Sequence, residues 1–250
     1  MANQRLSRRM LHICIVFVII VTIVFVAVMF ILHYDVNGET NMPFSISKIS
    51  IISTVDGQDV ENSEYRWDIN VIQNNDVYIY IEKNDGYKKQ ETISSVKIDN
   101  LVIKHEPSKG EIKIYKPDNQ NENLLFENII ENEVQEIIFN GTKKTDARSL
   151  QISNQGGVIC FRCANNSVCK YQSNDEEEID YSKLLQKMNM DEESLKATIS
   201  FNITITLNSG KAYKAENVEL NIPNENIVKE GRVGIENVAL ENIIFKRIEN

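Results

Sequence analysis

Hydrophobic residues are continuous in one stretch of the chain and alternate with polar residues in many others. From Leu11 to Leu32 every position except His12 and Thr22 is apolar. A helix rises about 1.5 Å per residue, so this stretch would cover roughly 33 Å, close to the roughly 30 Å hydrocarbon core of a bilayer. The pattern therefore predicts a transmembrane α-helix over residues 11–33, with the lipid bilayer as its partner.

A cleaved signal peptide and a buried core helix are the two other structures typical of an apolar segment. A signal peptide has an apolar region of about 7 to 15 residues that ends at a small-x-small site. Residues 31–35 read Ile-Leu-His-Tyr-Asp and contain no such site. A core helix of a soluble protein has a polar face, and this segment has none. The sequence therefore favours a retained signal anchor.

The charges that flank the apolar stretch predict its orientation. Arg5, Arg8 and Arg9 precede it, whereas Asp35 and Glu39 follow it. Basic residues remain on the cytoplasmic side of a membrane span. We therefore expect a single-pass protein of the plasma membrane, organised as a cytoplasmic tail (1–10), a transmembrane helix (11–33), a stalk (34–44) and an extracytoplasmic domain (45–250).

Beyond the stalk, apolar and polar residues alternate with the period of two that is typical of β-strands. In Ile199–Leu207 every second residue is Ile, Phe or Leu, and Asn208-Ser209-Gly210 follows as a turn. The spacing of such segments predicts an all-β domain, an antiparallel β-sandwich of jelly-roll-like type. The other predicted strands are Ser45–Val55, Tyr65–Gln73, Asp76–Glu82, Ile93–His105, Glu111–Lys116, Val134–Asn140, Val158–Ala164, Val218–Ile222 and Asn242–Ile248.

Irregularities in the alternation predict where strands break or bend. Asp56-Gly57 and Asn74-Asn75 are expected to interrupt strands, because Asp, Asn and Gly are turn residues. The apolar parity switches within Ile93–His105, which predicts a β-bulge at Asp99-Asn100. One short helix is expected over Asp180–Met188, where apolar residues follow an acidic first turn.

The composition excludes some classes of function but does not identify one. The chain has 27 Lys and Arg against 36 Asp and Glu, a formal net charge of −9, which disfavours nucleic-acid binding. With 42% hydrophobic and 25% charged residues it has the composition of a folded globular chain. The heavy use of Ile and Asn is typical of an AT-rich bacterial genome.

Three cysteines in the predicted outer domain, Cys160, Cys163 and Cys169, allow several interpretations. A redox dithiol lies at a helix N-terminus, whereas this CxxC lies on a predicted strand. A zinc site would need a fourth ligand, and only His105 is left to supply it. If residues 164–168 form a hairpin turn, Cys163 and Cys169 face each other and form a disulfide. Free buried thiols remain the other interpretation.

No group of residues has the spacing of a catalytic or metal site. The acidic run from Asp175 to Asp180 lacks the spacing of a calcium-binding loop. His105 is the one histidine away from the apolar stretch, so a histidine-dependent mechanism would rest on it alone. We therefore predict no catalytic residues, no metal and no cofactor, and a protein that is not an enzyme.

Tyr78 and Tyr80 share the parity opposite to Val77 and Ile79 and are expected to face solvent together. Exposed tyrosines can stack on sugar rings, which makes this pair a candidate for glycan binding. The leading hypothesis is binding or scaffolding of another envelope protein. Binding of a cell-wall glycan is the alternative, and a membrane-tethered hydrolase that uses acidic residues is the second alternative.

Overall fold

The structure is a computed structural model that describes residues 2–117, 128–129, 136–142, 150–238 and 240–248. The chain forms two compact units, residues 1–40 and residues 41–250.

The first unit is a single helix, α1 (Ala2–Asn37). Its segment Met10–Asn37 contains 28 residues, reaches a mean hydropathy of 3.5, and has no buried part. At about 1.5 Å per residue this segment is roughly 42 Å long, so it is long and apolar enough to cross a membrane. The predicted helix over residues 11–33 is confirmed as a helix, and it extends beyond both predicted ends.

The described residues of the second unit form two six-stranded sheets, which confirms the all-β prediction. The strands are β1 (Phe44–Asp59), β2 (Trp67–Lys83), β3 (Ile93–His105), β4 (Glu111–Lys116), β5 (Asn128–Ile129), β6 (Ile137–Gly141), β7 (Gln151–Ile152), β8 (Gly157–Ser173), β9 (Ala197–Leu207), β10 (Ala212–Ile222), β11 (Arg232–Glu236) and β12 (Phe245–Ile248). The first sheet has the order β11-β1-β2-β8-β4-β5, and the second has the order β12-β10-β9-β3-β6-β7. Neighbouring strands are antiparallel except for the parallel pair β6 and β7.

The main core lies between the two sheets. Phe161 of β8 and Phe201 of β9 are fully buried, and their rings meet edge to face with centroids 5.3 Å apart. The contact joins one sheet to the other, as expected for a sandwich whose inward side chains alternate with outward ones. Other fully buried members from both sheets include Ile49, Val77, Ile79, Ile159, Ile98, Ile199 and Ile203.

A second, smaller core lies under a group of short helices, which we call the helical corner. It comprises a 3₁₀ turn (Tyr181–Lys183), α2 (Leu184–Lys187), a second 3₁₀ turn (Glu192–Leu195) and α3 (Ile227–Glu230). The helix predicted over Asp180–Met188 is confirmed, since Asp180 caps the first turn by accepting a bond from the Ser182 amide. The corner buries Leu184, Leu185, Leu195 and Ile227 against Val55, Ile69, Val71 and Val168 of the first sheet.

Strands β1, β2 and β8 are long because each extends from the main core to the second core. The predicted breaks at Asp56-Gly57 and at Asn74-Asn75 are therefore wrong, since β1 and β2 continue through them. The predicted turn at residues 164–168 is also wrong. There β8 carries a bulge opposite Ile72, because Val71 pairs with Cys169 and Gln73 pairs with Asn165.

A buried polar cluster between the two cores explains why β2 continues through Asn75. The Asn75 side chain accepts a bond from the Ser53 hydroxyl at 2.8 Å and donates to the Gln73 side chain at 3.0 Å and the Cys163 carbonyl at 3.2 Å. The backbone amide of Asn224 donates a hydrogen bond to the Ser53 hydroxyl at 2.9 Å. We call Ser53, Gln73, Asn75 and Asn224 the polar belt. Buried polar groups must be hydrogen-bonded, and the belt supplies these bonds. Asn74-Asn75, a sequence typical of turns, therefore lies inside a strand.

Two further local predictions are confirmed. The register of β3 against β9 shifts between Asp99 and Val102, and Asn100 has a positive φ, as expected for a bulge at Asp99-Asn100. β9 and β10 form a hairpin around Asn208-Ser209-Gly210. Part of the strand predicted over Val134–Asn140, residues 134 and 135, lies outside the described residues.

Candidate functional site

The outer face of the first sheet carries the tyrosine pair that the alternation predicts. On β2 the side chains of Val77 and Ile79 are fully buried, whereas Asp76, Tyr78 and Tyr80 are partly exposed. These three residues lie beside residues of the two neighbouring strands that share their sheet face, of which Ser50 is buried and Val158 is exposed. We call the group the tyrosine platform, and its remaining members are Lys48 and Ser50 on β1 and Val158, Cys160 and Arg162 on β8.

A forked ion pair lies at one end of the platform. Arg162 and Asp76 are cross-strand partners, and Nε and Nη2 of Arg162 donate to the two carboxylate oxygens of Asp76 at 2.5 and 2.9 Å. Burial opposes the charge on Arg162, but the carboxylate outweighs it and holds the pKa of the guanidinium above its usual value. The fixed fork makes this end of the platform rigid and keeps both charges at the surface.

Tyr80 is held at the other end of the platform by a basic side chain. Nζ of Lys48 lies 4.2 Å from the centroid of the Tyr80 ring and 3.1 Å from Oε1 of Glu236 on β11. The bond to Glu236 raises the pKa of the Lys48 ammonium, which remains charged over the ring. One face of the Tyr80 ring is therefore already occupied by a cation.

Tyr78 lies between the two charged ends. Burial raises the pKa of its phenol, and the nearby Asp76 carboxylate adds to the effect. The hydroxyl consequently stays protonated over the physiological range. Tyr78 offers a partner a neutral ring with a hydroxyl group, flanked by a forked ion pair on one side and a cation on the other.

The three cysteines of the β-rich unit do not form one site. Cys163 and Cys169 lie on the same strand, six positions apart, on the order of 15 Å. Disulfide formation needs Cα atoms within about 7 Å, so the predicted bridge is wrong and both thiols are free. Burial raises the pKa of the Cys160 thiol to about 11 and raises that of Cys163 further still. Neither thiol is poised as a nucleophile.

We expect Cys163 to resist alkylation in the folded chain. Its side chain is fully buried in the main core, whereas Cys160 and Cys169 are partly exposed. Mass spectrometry after native labelling should show Cys163 at least roughly tenfold slower to react than Cys160, because the thiolate is the reactive form. After denaturation without a reductant, all three should react. A species that gains alkyl groups only after reduction would contradict the assignment of free thiols.

The other candidate site residues of the sequence, His105 and the acidic run, do not form a site either. His105 is exposed at the end of β3. The acidic run is exposed from Asp175 to Glu178, and its backbone carbonyls at Asp175 and Glu177 accept bonds from the Trp67 indole at 3.1 Å. Across the described ranges, no three side chains of the metal-binding types come together.

An open groove of about 470 Å³ lies on the helical corner. Asp191, Glu192 and Lys229 are among the residues that line it. Oε1 of Glu192 is shielded from solvent and has no hydrogen-bond partner. The Asp191 side chain is already engaged, because it caps the second 3₁₀ turn at the Glu193 amide. The groove is shallow, and the one unengaged carboxylate oxygen in its lining is shielded from solvent.

Sequence reasoning found the tyrosines of the platform but missed the charged residues around them. Asp76, Arg162 and Lys48 all had an outward parity that alternation could have shown. Their contacts depend on pairing between strands separated by up to 86 residues, as in Arg162 with Asp76. The polar belt could not be predicted in this way, because its Asn residues indicate a turn and not a buried strand. The chain matches no family model, no curated protein and no solved structure.

Proposed function

We propose that the protein is a single-pass binding protein of a bacterial envelope, anchored in the plasma membrane with its β-rich unit outside, where it binds or scaffolds another envelope protein. The observation that carries this proposal is the pairing of α1, which is unburied along its apolar length, with a separate compact β-rich unit. A helix of that length has an apolar surface that only a bilayer or a partner helix covers.

The proposed orientation follows from the flanking charges. Arg5, Arg8 and Arg9 precede the apolar segment, and acidic residues Asp35 and Glu39 follow it. Positively charged flanks remain cytoplasmic, which would place residues 41–250 outside the cytoplasm.

The proposed binding surface is the tyrosine platform. Tyr and Arg are the residues that most often dominate binding energy at protein interfaces, and here Tyr78, Tyr80 and Arg162 share one rigid sheet face. The cation over Tyr80 and the forked pair at Asp76 fix charges at both ends of the face. Such fixed charges favour a protein partner with complementary charges. The role proposed is binding, with no catalytic step.

Protease treatment of intact cells tests the proposed orientation. With a tag at each terminus of the full chain, we expect external protease to remove the C-terminal tag and most of the β-rich unit while the N-terminal tag stays protected. Permeabilised cells serve as the control in which both tags are lost. Protection of the C-terminal tag in intact cells would overturn the proposed topology.

Photocrosslinking in native membranes tests the proposed surface. A photoreactive residue at position 80 should yield a discrete adduct with one protein, and the same residue at the exposed loop position Lys88 should not. Tyr78→Ala should reduce the adduct at least about tenfold, as expected for an aromatic anchor. Adduct formation that is equal at both positions, or unchanged by Tyr78→Ala, would contradict a binding role for the platform.

The shared orientation of Tyr78 and Tyr80 also supports a second candidate, a glycan-binding module. Two tyrosines on one strand face are a stacking surface for sugar rings, although Lys48 covers one face of Tyr80. The full chain in detergent should then be retained on cell-wall polysaccharide, and Tyr78→Ala should abolish the retention while Lys88→Ala should not. Retention that is absent, or the same in both variants, would exclude this candidate.

A further inference from the structure

Strand β11 forms an exposed edge of the first sheet. It pairs with β1 on one side, from Arg232 opposite Thr54 to Glu236 opposite Ser50, and no described strand lies on its other side. Four of its five residues are exposed, and Ile235 leaves 40% of its surface accessible. An edge of this kind presents unpaired backbone groups to another strand.

The free backbone groups of β11 belong to three residues. Towards β1, the Gly231 carbonyl accepts a bond from the Val55 amide, and the Asn237 amide donates to the Ile49 carbonyl, both at 2.8 Å. Backbone groups alternate in direction along an antiparallel strand. The odd-numbered residues of β11 therefore face β1, and the amides and carbonyls of residues 232, 234 and 236 point away from the sheet.

The other sheet edges in the described part of the chain are blocked or short. β12 (Phe245–Ile248) has four residues, two of which are the basic residues Lys246 and Arg247. β5 and β7 contain two residues each. Proteins commonly protect edge strands by such charges and by shortness. β11 has five residues, and its one basic residue, Arg232, is matched by an acidic residue at its other end, so its charges do not repel a second copy in an antiparallel register.

We propose that β11 pairs antiparallel with β11 of a second copy of this chain, with a two-fold axis at Gly234. In this register Arg232 lies opposite Glu236 of the second copy, and Val233 lies opposite Ile235 of the second copy. The sequence Arg-Val-Gly-Ile-Glu is thus complementary to itself in charge and in apolarity. The first sheets of the two copies form one continuous sheet.

The local geometry suits this pairing. The three outward-facing residues of each copy exchange about six backbone hydrogen bonds. Arg232, Gly234 and Glu236 share the outer face with the tyrosine platform, so the two Arg–Glu pairs form on that face. Arg232 has no ion-pair partner among the described residues, and Glu236 is bonded to Lys48 through Oε1, which leaves its second carboxylate oxygen for Arg232 of the second copy. A Cβ at Gly234 would meet no atom within 4 Å, so a side chain can be introduced at the two-fold axis without a clash inside one copy.

Charge reversal of the full chain in detergent tests the pairing by sedimentation equilibrium. Arg232→Glu places two like-charged pairs across the axis and should weaken self-association roughly 30-fold. Glu236→Arg should weaken it similarly. An equimolar mixture of the two variants restores opposite charges at both pairs, and should recover the parental affinity as a heterodimer. Lys88→Glu is the control with the same change of charge at an exposed loop position.

Disulfide trapping in membranes supplies a second readout. Cysteines at the two-fold axis would have Cα atoms about 5.5 Å apart, within the range that a disulfide spans. Gly234→Cys should form a covalent dimer under mild oxidation, and Lys88→Cys should not. A monomer at all concentrations, self-association unchanged by Arg232→Glu, or a mixture that fails to recover would overturn the proposal. An adduct of Gly234→Cys with a different protein would also overturn it, and would assign the edge to that partner.

Discussion

Replacing Phe201 with alanine is expected to lower the free energy of unfolding of the β-rich unit by about 4 kcal/mol, since truncating a buried Phe typically costs about 3–5 kcal/mol. Phe201 is fully buried, and its ring meets Phe161 of the opposite sheet at a centroid distance of 5.3 Å. The substitution removes apolar burial from both sheets and the edge-to-face contact between the two rings, and it leaves a cavity that the long strands cannot close.

Chemical denaturation of the full chain in detergent, followed by circular dichroism, measures this effect. Tyr78→Ala is the matched control, because Tyr78 is a partly exposed aromatic residue on the outer face of the first sheet. We expect it to cost less than about half as much as Phe201→Ala. Equal losses for the two variants would contradict the assignment of Phe201 to the centre of the sandwich.

Replacing Asn75 with alanine is expected to lower the free energy of unfolding by about 3 kcal/mol. The side chain is 1% exposed, and its loss leaves the Ser53 hydroxyl, the Gln73 side-chain amide and the Cys163 carbonyl with fewer partners in a dry interior. Each buried polar group left unsatisfied costs about 1–3 kcal/mol. Relaxation of the neighbouring side chains offsets part of that sum.

Denaturation curves of Asn75→Ala, Ser53→Ala and the double variant test whether the belt acts as one network. The losses of the two single variants should not add, because each removes the same Ser53–Asn75 bond of 2.8 Å. Asn70→Ala, a partly exposed asparagine on the same strand, is the control and should change stability by less than about 0.5 kcal/mol. Strict additivity, or a loss at Asn75 no greater than at Asn70, would contradict a structural role for the belt.

The polar belt fixes the register of the three long strands of the β-rich unit. Strands β1, β2 and β8 cross from the main core to the second core, and the belt lies between them. A hydrophobic boundary alone would let these strands slip in register, whereas the bonds among Ser53, Asn75 and Asn224 are satisfied in one register only. The belt thus fixes the helical corner relative to the sandwich.

Features that depend on local periodicity could be predicted from the amino-acid sequence. The apolar run after Arg9 defined a helix long enough to span a bilayer, and strict alternation defined which side chains of β9 and β2 face inward. The bulge at Asp99-Asn100 was also local, because a change of parity within one strand records it directly. These patterns depend only on which side chains of one helix or strand are buried, so they can be recognised without knowing the partner strands.

The neighbours of each strand are set by the three-dimensional fold, and the polar belt and the tyrosine platform depend on those neighbours. Asn74-Asn75 indicates a turn when read alone, but Ser53 and Asn224 supply hydrogen-bond partners that keep β2 extended. The sequence predicted that Cys163 and Cys169 face each other across a hairpin, but both lie on the single bulged strand β8. Arg162 meets Asp76 because β8 lies beside β2. Polar groups take whichever partner the fold brings within bonding distance, and that distance is set by strand order rather than by neighbouring residues.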